Sequence, residues 1–294
     1  MTLLGAVELG GTKIRAARGD PAGTIADSVT FPTGLPDQAF ARLRAFFQAG
    51  EAVSAIGIGS FGPIGVTRGA ADWGVMGRTP KPGWQGADVG GALAALGVPV
   101  RLETDVAAAG LGEHRRGALA GTACGIYLTV GTGIGGALIL DGRPVNGAAH
   151  AEMGHVTLLR EARDEAPSTC PHHPHCAEGL AAGPAIARRF GHTLSDPQAT
   201  ADQRALIADY LGQLVANLVL VLSPERIVIG GGVAKAPGLL PAVQARMRAR
   251  LNDYLSLPAL DRPGFIAPPA LGDDAGLTGA LFLAAEASGH APRA

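Results

Sequence analysis

Residues 126–140 read Ile126-Tyr127-Leu128-Thr129-Val130-Gly131-Thr132-Gly133-Ile134-Gly135-Gly136-Ala137-Leu138-Ile139-Leu140, and residues 7–15 read Val7-Glu8-Leu9-Gly10-Gly11-Thr12-Lys13-Ile14-Arg15. Each is an apolar run, a tight Gly-rich turn and a second apolar run, the one at 126–140 ending at the turn Asp141-Gly142 and the one at 7–15 running on to Gly19-Asp20. Both read as β-hairpins whose turns expose a row of backbone N–H groups, an arrangement that binds phosphate oxygens. Either hairpin alone is more simply an ordinary turn. Two of them half a chain apart point to a duplicated domain holding a nucleotide, with Gly10, Gly11, Thr12, Lys13, Gly131, Thr132 and Gly133 as phosphate contacts.

Two matches to GxGxxG are decoys. A dinucleotide fingerprint needs a helix to open inside the motif. After Gly131–Gly136 the chain continues as strand, and Pro63 breaks the match at 57–62. No GxxxxGK[ST] is present, so this is not a P-loop enzyme. A third glycine site, Gly230-Gly231-Gly232-Val233, follows a buried strand at 226–229 and precedes an amphipathic helix over 237–254. Such a turn lets a flat base lie against backbone, and close packing of helix on strand explains it equally well. A fourth cluster, residues 271–280, opens the last helix in a similar way.

Further periodicity predicts a helix over 37–49, strands over 54–58 and 98–102, and a long core helix over 201–222. A loop over 62–86 carries Trp73, Lys81 and Trp84. Glu103-Thr104-Asp105 reads as a loop entering a helix, where Asp105 fits a helix cap as well as a functional role. With 294 residues the chain forms one large or two medium domains. A net charge of −1 offers no field for nucleic acid or an anionic membrane. Three cysteines argue against a disulfide scaffold, the first residues lack signal-peptide character, and the apolar stretch around 218–222 reads as too short for a bilayer. A soluble cytoplasmic protein is expected.

Chemistry concentrates between His150 and Glu178, which hold five of the eight histidines and two of the three cysteines. Cys170, His173 and Cys176, spaced three apart, can face one ion from a tight loop, and His155 is the best-placed fourth ligand. Cys2His2 suits tetrahedral zinc, and four protein ligands leave no position for water, so the metal reads as structural. A Cys170–Cys176 disulfide or a merely His-rich surface loop are the competing readings.

Taken together, these segments resemble the ROK family of bacterial sugar kinases, within the actin/hexokinase ATPase superfamily. ELGGTK resembles its first phosphate motif, TVGTGIGGA its second and VIGGGV its adenosine turn. HAEMGH followed by CPHHPHCAEGLAAGPAI resembles its sugar and zinc signature, and with IGSFGP and TPKPGW is nearest the fructokinase branch. The resemblance implies an α/β, two-lobed actin/hexokinase-like (ribonuclease H-like) fold with a zinc-binding loop. It implies an N-terminal lobe over 1–108, completed by a helix over 277–294, and a C-terminal lobe over 109–276. It implies ATP-dependent phosphorylation of fructose to fructose 6-phosphate, with Asp105 as general base and Mg²⁺ accompanying ATP, reached by Glu8 through water. Gly231 and Gly232 would take the adenosine. Gly62, Thr104, Asp105, Glu152, His155 and Glu178 would contact the sugar, and His155, Cys170, His173 and Cys176 would hold zinc. A homodimer is implied, with no nucleic-acid or membrane partner.

Thr104 stands where the family often has a sugar-binding Asn, Ala107 where a second Asn is common, and Glu8 where many members have Asp. A ROK hexokinase acting on glucose, mannose or an N-acetylhexosamine is the nearest alternative. A ROK-type repressor would carry an N-terminal helix-turn-helix, for which no room is expected before the first hairpin. An actin-like filament protein would need neither the zinc loop nor Glu152 and Glu178.

Overall fold

A computed structural model describes residues 2–255 and 257–289. Residues 290–294 of the expected last helix, and residue 256 of the expected C-terminal lobe, lie outside the described residues. The fold is α/β, built on two sheets that divide between two compact units. One unit gathers the chain up to Ala120, Gly142–Ala151 and the chain from Asp273 on; the other holds Gly121–Asp141 and Glu152–Gly272. The first unit thus runs past the lobe boundary expected at 108.

In the first unit, β1 (Leu4–Leu9) and β2 (Lys13–Gly19) form the first hairpin. β3 (Ile25–Pro32), β4 (Ile56–Ser60) and β5 (Val100–Thr104) complete the order β3-β2-β1-β4-β5. β4 is parallel to both β1 and β5 and buried along its length, as a two-faced central strand must be. In the second unit, β6 (Cys124–Val130) and β7 (Ile134–Leu140) form the matching hairpin. A two-residue strand, β8 (Arg143–Pro144), follows in the chain. β9 (Arg226–Gly230) is parallel to β6, and β10 (Ile266–Ala267) to β9. A hairpin with a parallel strand beside its first arm therefore occurs once in each unit. The last pairs before the turns are Leu9↔Ile14 and Val130↔Ile134, and residues 10–12 and 131–133 lie between the strand ends.

Helices α1 (Pro36–Gln48), α2 (Val89–Ala94) and α3 (Asp105–Arg116) belong to the first unit. The second contains α4 (Ala177–Ala181), α5 (Gly183–Phe190), α6 (Ala201–Leu222), α7 (Leu239–Leu251) and α8 (Pro258–Asp261). The last helix, α9 (Ala275–Ala287), returns to the first unit, where Leu277, Ala280 and Leu281 cluster with Leu4, Ala6 and Ala17.

α6 spans the expected residues, started by a capping box in which Thr200 and Gln203 satisfy each other's backbone N–H. The expectation about apolar length needs correcting: α6 as a whole is long and apolar enough to cross a membrane by length and composition. Burial explains that character, because Ile207, Leu211, Leu214, Val215 and Val219 lie in the core of the second unit.

The strands expected at 54–58 and 98–102 sit two residues later. Register decides this, since Ile56 pairs with both Gly5 and Val100, and Ser60 with both Leu9 and Thr104. The helix expected over 237–254 is trimmed by left-handed residues at Gly238 (φ 72°) and Asn252 (φ 47°).

α9 packs so closely that only glycine fits at its crossings. A Cβ on Gly279 would lie 1.6 Å from the Ala108 carbonyl oxygen, and one on Gly57 1.8 Å from that of Ala280. Gly279→Ala is therefore expected to cost at least the ~1–3 kcal/mol of core overpacking, since backbone cannot yield as a side chain does. Thermal melts check this against Gly147→Ala, whose Cβ meets nothing within 4 Å; equal melting temperatures would contradict the close crossing.

Candidate active site and metal centre

In the first unit the turn at 10–12 is closed by Gly10 N–H donating to Lys13 C=O (3.1 Å), while Gly11, Thr12 and Lys13 are exposed. Thr33 braces it, donating from Oγ1 to Gly10 C=O (2.7 Å) and from its N–H to Thr12 C=O (3.1 Å). Glu8, two residues before the turn, lies under the start of α9. Burial pushes its carboxyl above the usual range; Arg15 opposes this from 3.4 Å, and the charge of Asp105 adds to it. Arg15 also reaches Asp274 (2.5 Å).

The later end of β5 changes the reading of Asp105. Thr104 is the N-cap of α3, its Oγ1 accepting the Ala107 N–H (3.2 Å), and Asp105 is the first helical residue. The cap role belongs to Thr104. Asp105 stays partly exposed between buried neighbours, and its Oδ1 accepts the Val106 N–H (2.8 Å). Thr104 and Ala107 are both buried, and the cap bond occupies one of the two acceptor sites on the Thr104 hydroxyl.

The segment Gly142–Ala151 returns to these strand ends, a placement the sequence did not disclose. Asn146 Nδ2 donates to Glu103 Oε2 (2.9 Å), and burial, opposed by that bond, raises the Glu103 carboxyl. His150 Nε2 accepts the Ile64 N–H (3.2 Å) and lies against Gly62. Trp84 is core: its ring meets Phe40 and Phe61 edge-on, and its Nε1 donates to Gly34 C=O (2.9 Å).

In the second unit, Gly131 N–H donates to Gly133 C=O (2.9 Å) and Gly131 C=O accepts from Gly183 (2.7 Å), leaving Thr132 exposed at the tip. Glu178 Oε2 accepts the Ile134 N–H (3.0 Å), which places this carboxylate beside the glycine turn. Gly231 has φ 91°, and a Cβ there would lie 2.3 Å from the Val130 carbonyl oxygen, so close packing alone requires glycine. A Cβ on Gly232 would meet nothing within 4 Å.

His155, Cys170, His173 and Cys176 come together, with ligand atoms all within 4.8 Å of one another. Cys170 Sγ lies 3.8 Å from His155 Nδ1 and 3.6 Å from His173 Nδ1. Tetrahedral zinc with ordinary Zn–S and Zn–N bonds sets a sulfur and a nitrogen about 3.5–3.6 Å apart, close to these two separations, and the donor set suits that ion. Cys170 and Cys176 are free thiols, and His172 and His175, exposed like His173, are not among the four. Burial pushes the Cys176 thiol up to about 11, so it is a neutral thiol until a cation replaces its proton.

His155 connects this cluster to the two glutamates. Its Nδ1 faces Cys170, while its Nε2 lies 4.0 Å from both Glu152 Oε2 and Glu178 Oε1. One imidazole therefore turns one nitrogen to a Cys/His metal set and the other to a pair of carboxylates.

A family profile matches residues 4–287. The chain belongs to the ROK family. It is 39% identical over 283 residues to the fructokinase of Pediococcus pentosaceus, covering 96% of this chain and 97% of that one. It is 38% identical over 291 residues to the fructokinase of Zymomonas mobilis, covering 96% of each. Among solved structures, the ROK hexokinase of Thermus thermophilus superposes with a TM-score of 0.77 at 34% identity, covering 96% of this chain and 98% of that one.

Proposed function

We propose that this ROK protein transfers the γ-phosphoryl group of ATP to fructose, giving fructose 6-phosphate. The observation that carries the reading is near-full-length similarity, at 38–39% identity, to proteins named fructokinase. Asp105 accepts the proton of the attacking hydroxyl, a poor nucleophile until a carboxylate orients it. Its partial exposure at a helix start, with the cap bond made by Thr104, supports that role. Gly10–Lys13 and Gly131–Gly133 contact the phosphates, and Gly231 and Gly232 the adenosine. Mg²⁺ with ATP would neutralise the charge developing on the transferred group, and Glu8 is the residue that would reach it through water. Gly62, Thr104, Glu152, His155 and Glu178 hold the sugar.

Zinc is the metal we assign to His155, Cys170, His173 and Cys176, because thiolate with imidazole is its preferred donor set. It would lock the loop bearing His155. We further propose a cytoplasmic homodimer, consistent with free thiols and an ATP supply.

A coupled ADP-release assay across fructose, glucose, mannose and N-acetylmannosamine tests the reading. Fructose is expected to show the highest kcat/KM. A higher value for glucose or mannose would favour the hexokinase reading, as in the Thermus relative's name. Glu178→Gln and Glu152→Gln are expected to raise the fructose KM more than the ATP KM, each lost charge-assisted bond weakening binding by roughly 1.5–3 kcal/mol. Equal shifts for both substrates would indicate a folding role instead.

A further inference from the structure

The chain between the first two metal ligands, residues 156–169, has no helix or strand beyond the single bridge Thr157–Cys176. Such a segment loses conformational entropy at every residue it orders, so ligands at its two ends are well placed only if something holds its middle. Three buried side chains from elsewhere in the same unit do so. Gln213 on α6 grips Leu159 at both backbone groups, Oε1 accepting its N–H (3.0 Å) and Nε2 donating to its C=O (3.0 Å). Tyr210, also on α6, accepts the Glu161 N–H (3.2 Å) and donates to Asp164 Oδ2 (2.6 Å). Arg189 on α5 forks the same carboxylate, Nε to Oδ1 (2.9 Å) and Nη2 to Oδ2 (3.0 Å).

Arg189 is not spent on the loop alone. Its Nη1 donates to the carbonyl oxygens of Leu180 (3.0 Å) and Ala185 (3.2 Å). Leu180 belongs to α4, the short helix that Cys176 caps and that carries Glu178. One guanidinium therefore ties the loop ending at Cys170 to the helix presenting Cys176 and Glu178. The side chains of Arg189 and Asp164 are 6% and 3% exposed. A buried ion pair seldom adds net stability over apolar groups of the same volume. What a planar fork adds is a defined geometry. Burial pushes the Asp164 carboxyl up, but the bonds from Arg189 and Tyr210 outweigh it and hold it below the usual carboxylate range.

We propose that Arg189 and Asp164 are positioning residues for sugar binding: their fork locks the loop presenting His155 and Cys170 onto the helix presenting Cys176 and Glu178. The proposal rests on the reading of His155 and Glu178 as sugar contacts.

The test uses full-length, zinc-loaded protein carrying Arg189→Lys, Asp164→Asn or Tyr210→Phe. Two readouts apply: the rate of Zn²⁺ release to a chromophoric chelator, and the KM for fructose set against the KM for ATP. Arg189→Lys keeps the charge but loses the fork, and Asp164→Asn keeps the shape but loses the charge. Both are expected to release zinc about 10–100-fold faster and to raise the fructose KM about tenfold while the ATP KM stays within about twofold, the range seen when groups supporting metal ligands are lost. Their double variant should be little worse than either alone, because both remove one interaction. Wild-type zinc release in Asp164→Asn and Arg189→Lys overturns the proposal, as does a parallel rise of both KM values with a lowered melting temperature. Should either variant fail to fold, Tyr210→Phe decides: faster release supports the clamp and wild-type release overturns it. The sugar reading fails separately, by a wild-type fructose KM in Glu178→Gln.

Discussion

Asp105→Ala is expected to lower kcat by about 10²–10⁴-fold, the usual range for removing a general base, while leaving the melting temperature nearly unchanged. The fold sharpens this expectation. Were Asp105 the cap of α3, its loss would cost roughly 0.5–2 kcal/mol of stability and leave turnover intact. The cap bond is instead made by Thr104 to Ala107, so that cost should appear in Thr104→Val. One pair of melts and one kinetic measurement separate the roles. Near-wild-type kcat in Asp105→Ala would sink the catalytic assignment, and a drop in melting temperature there larger than in Thr104→Val would return the cap to Asp105.

Cys176→Ser is expected to empty the metal site and to weaken fructose binding with it. Purified wild-type protein should contain about one zinc per chain, and the variant close to none, because three remaining ligands with a serine do not replace a buried thiolate. Cys176 also caps α4, its Sγ accepting the Gly179 N–H at 3.4 Å, so losing the metal loosens the helix that presents Glu178. The fructose KM should rise by roughly 10–100-fold, the scale of effects transmitted through a metal ligand's outer contacts. The ATP KM should move much less. Elemental analysis finding no zinc in wild-type protein prepared without chelators would end the zinc reading. An unchanged fructose KM in a metal-free variant would break the proposed link through His155.

The sequence disclosed those features whose interactions are local. The hairpins at 7–15 and 126–140 were legible because an apolar run, a glycine turn and a second run fold back on themselves with no distant partner. α6 was legible because its apolar residues recur without a break from 201 to Leu222, and the helix stops at Ser223, where φ turns to 48°. The metal quartet was legible because three of its ligands lie within seven residues, Cys170 to Cys176.

Tertiary structure decided what depends on register and on partners far along the chain. β5 ends at Thr104 because Ser60 and Thr104 pair across the sheet, and that register moves the cap from Asp105 to its neighbour. The segment Gly142–Ala151 follows a hairpin of the second unit yet returns to the first, where Asn146 meets Glu103, 43 residues earlier. Asp164 reads in sequence as one charge among several in a polar loop. Its partners stand 25 and 46 residues further on, at Arg189 and Tyr210. A side chain's own neighbourhood sets its local conformation, but whether a charge is solvated or buried against a fork depends on which helices pack over it, and no spacing within the loop encodes that.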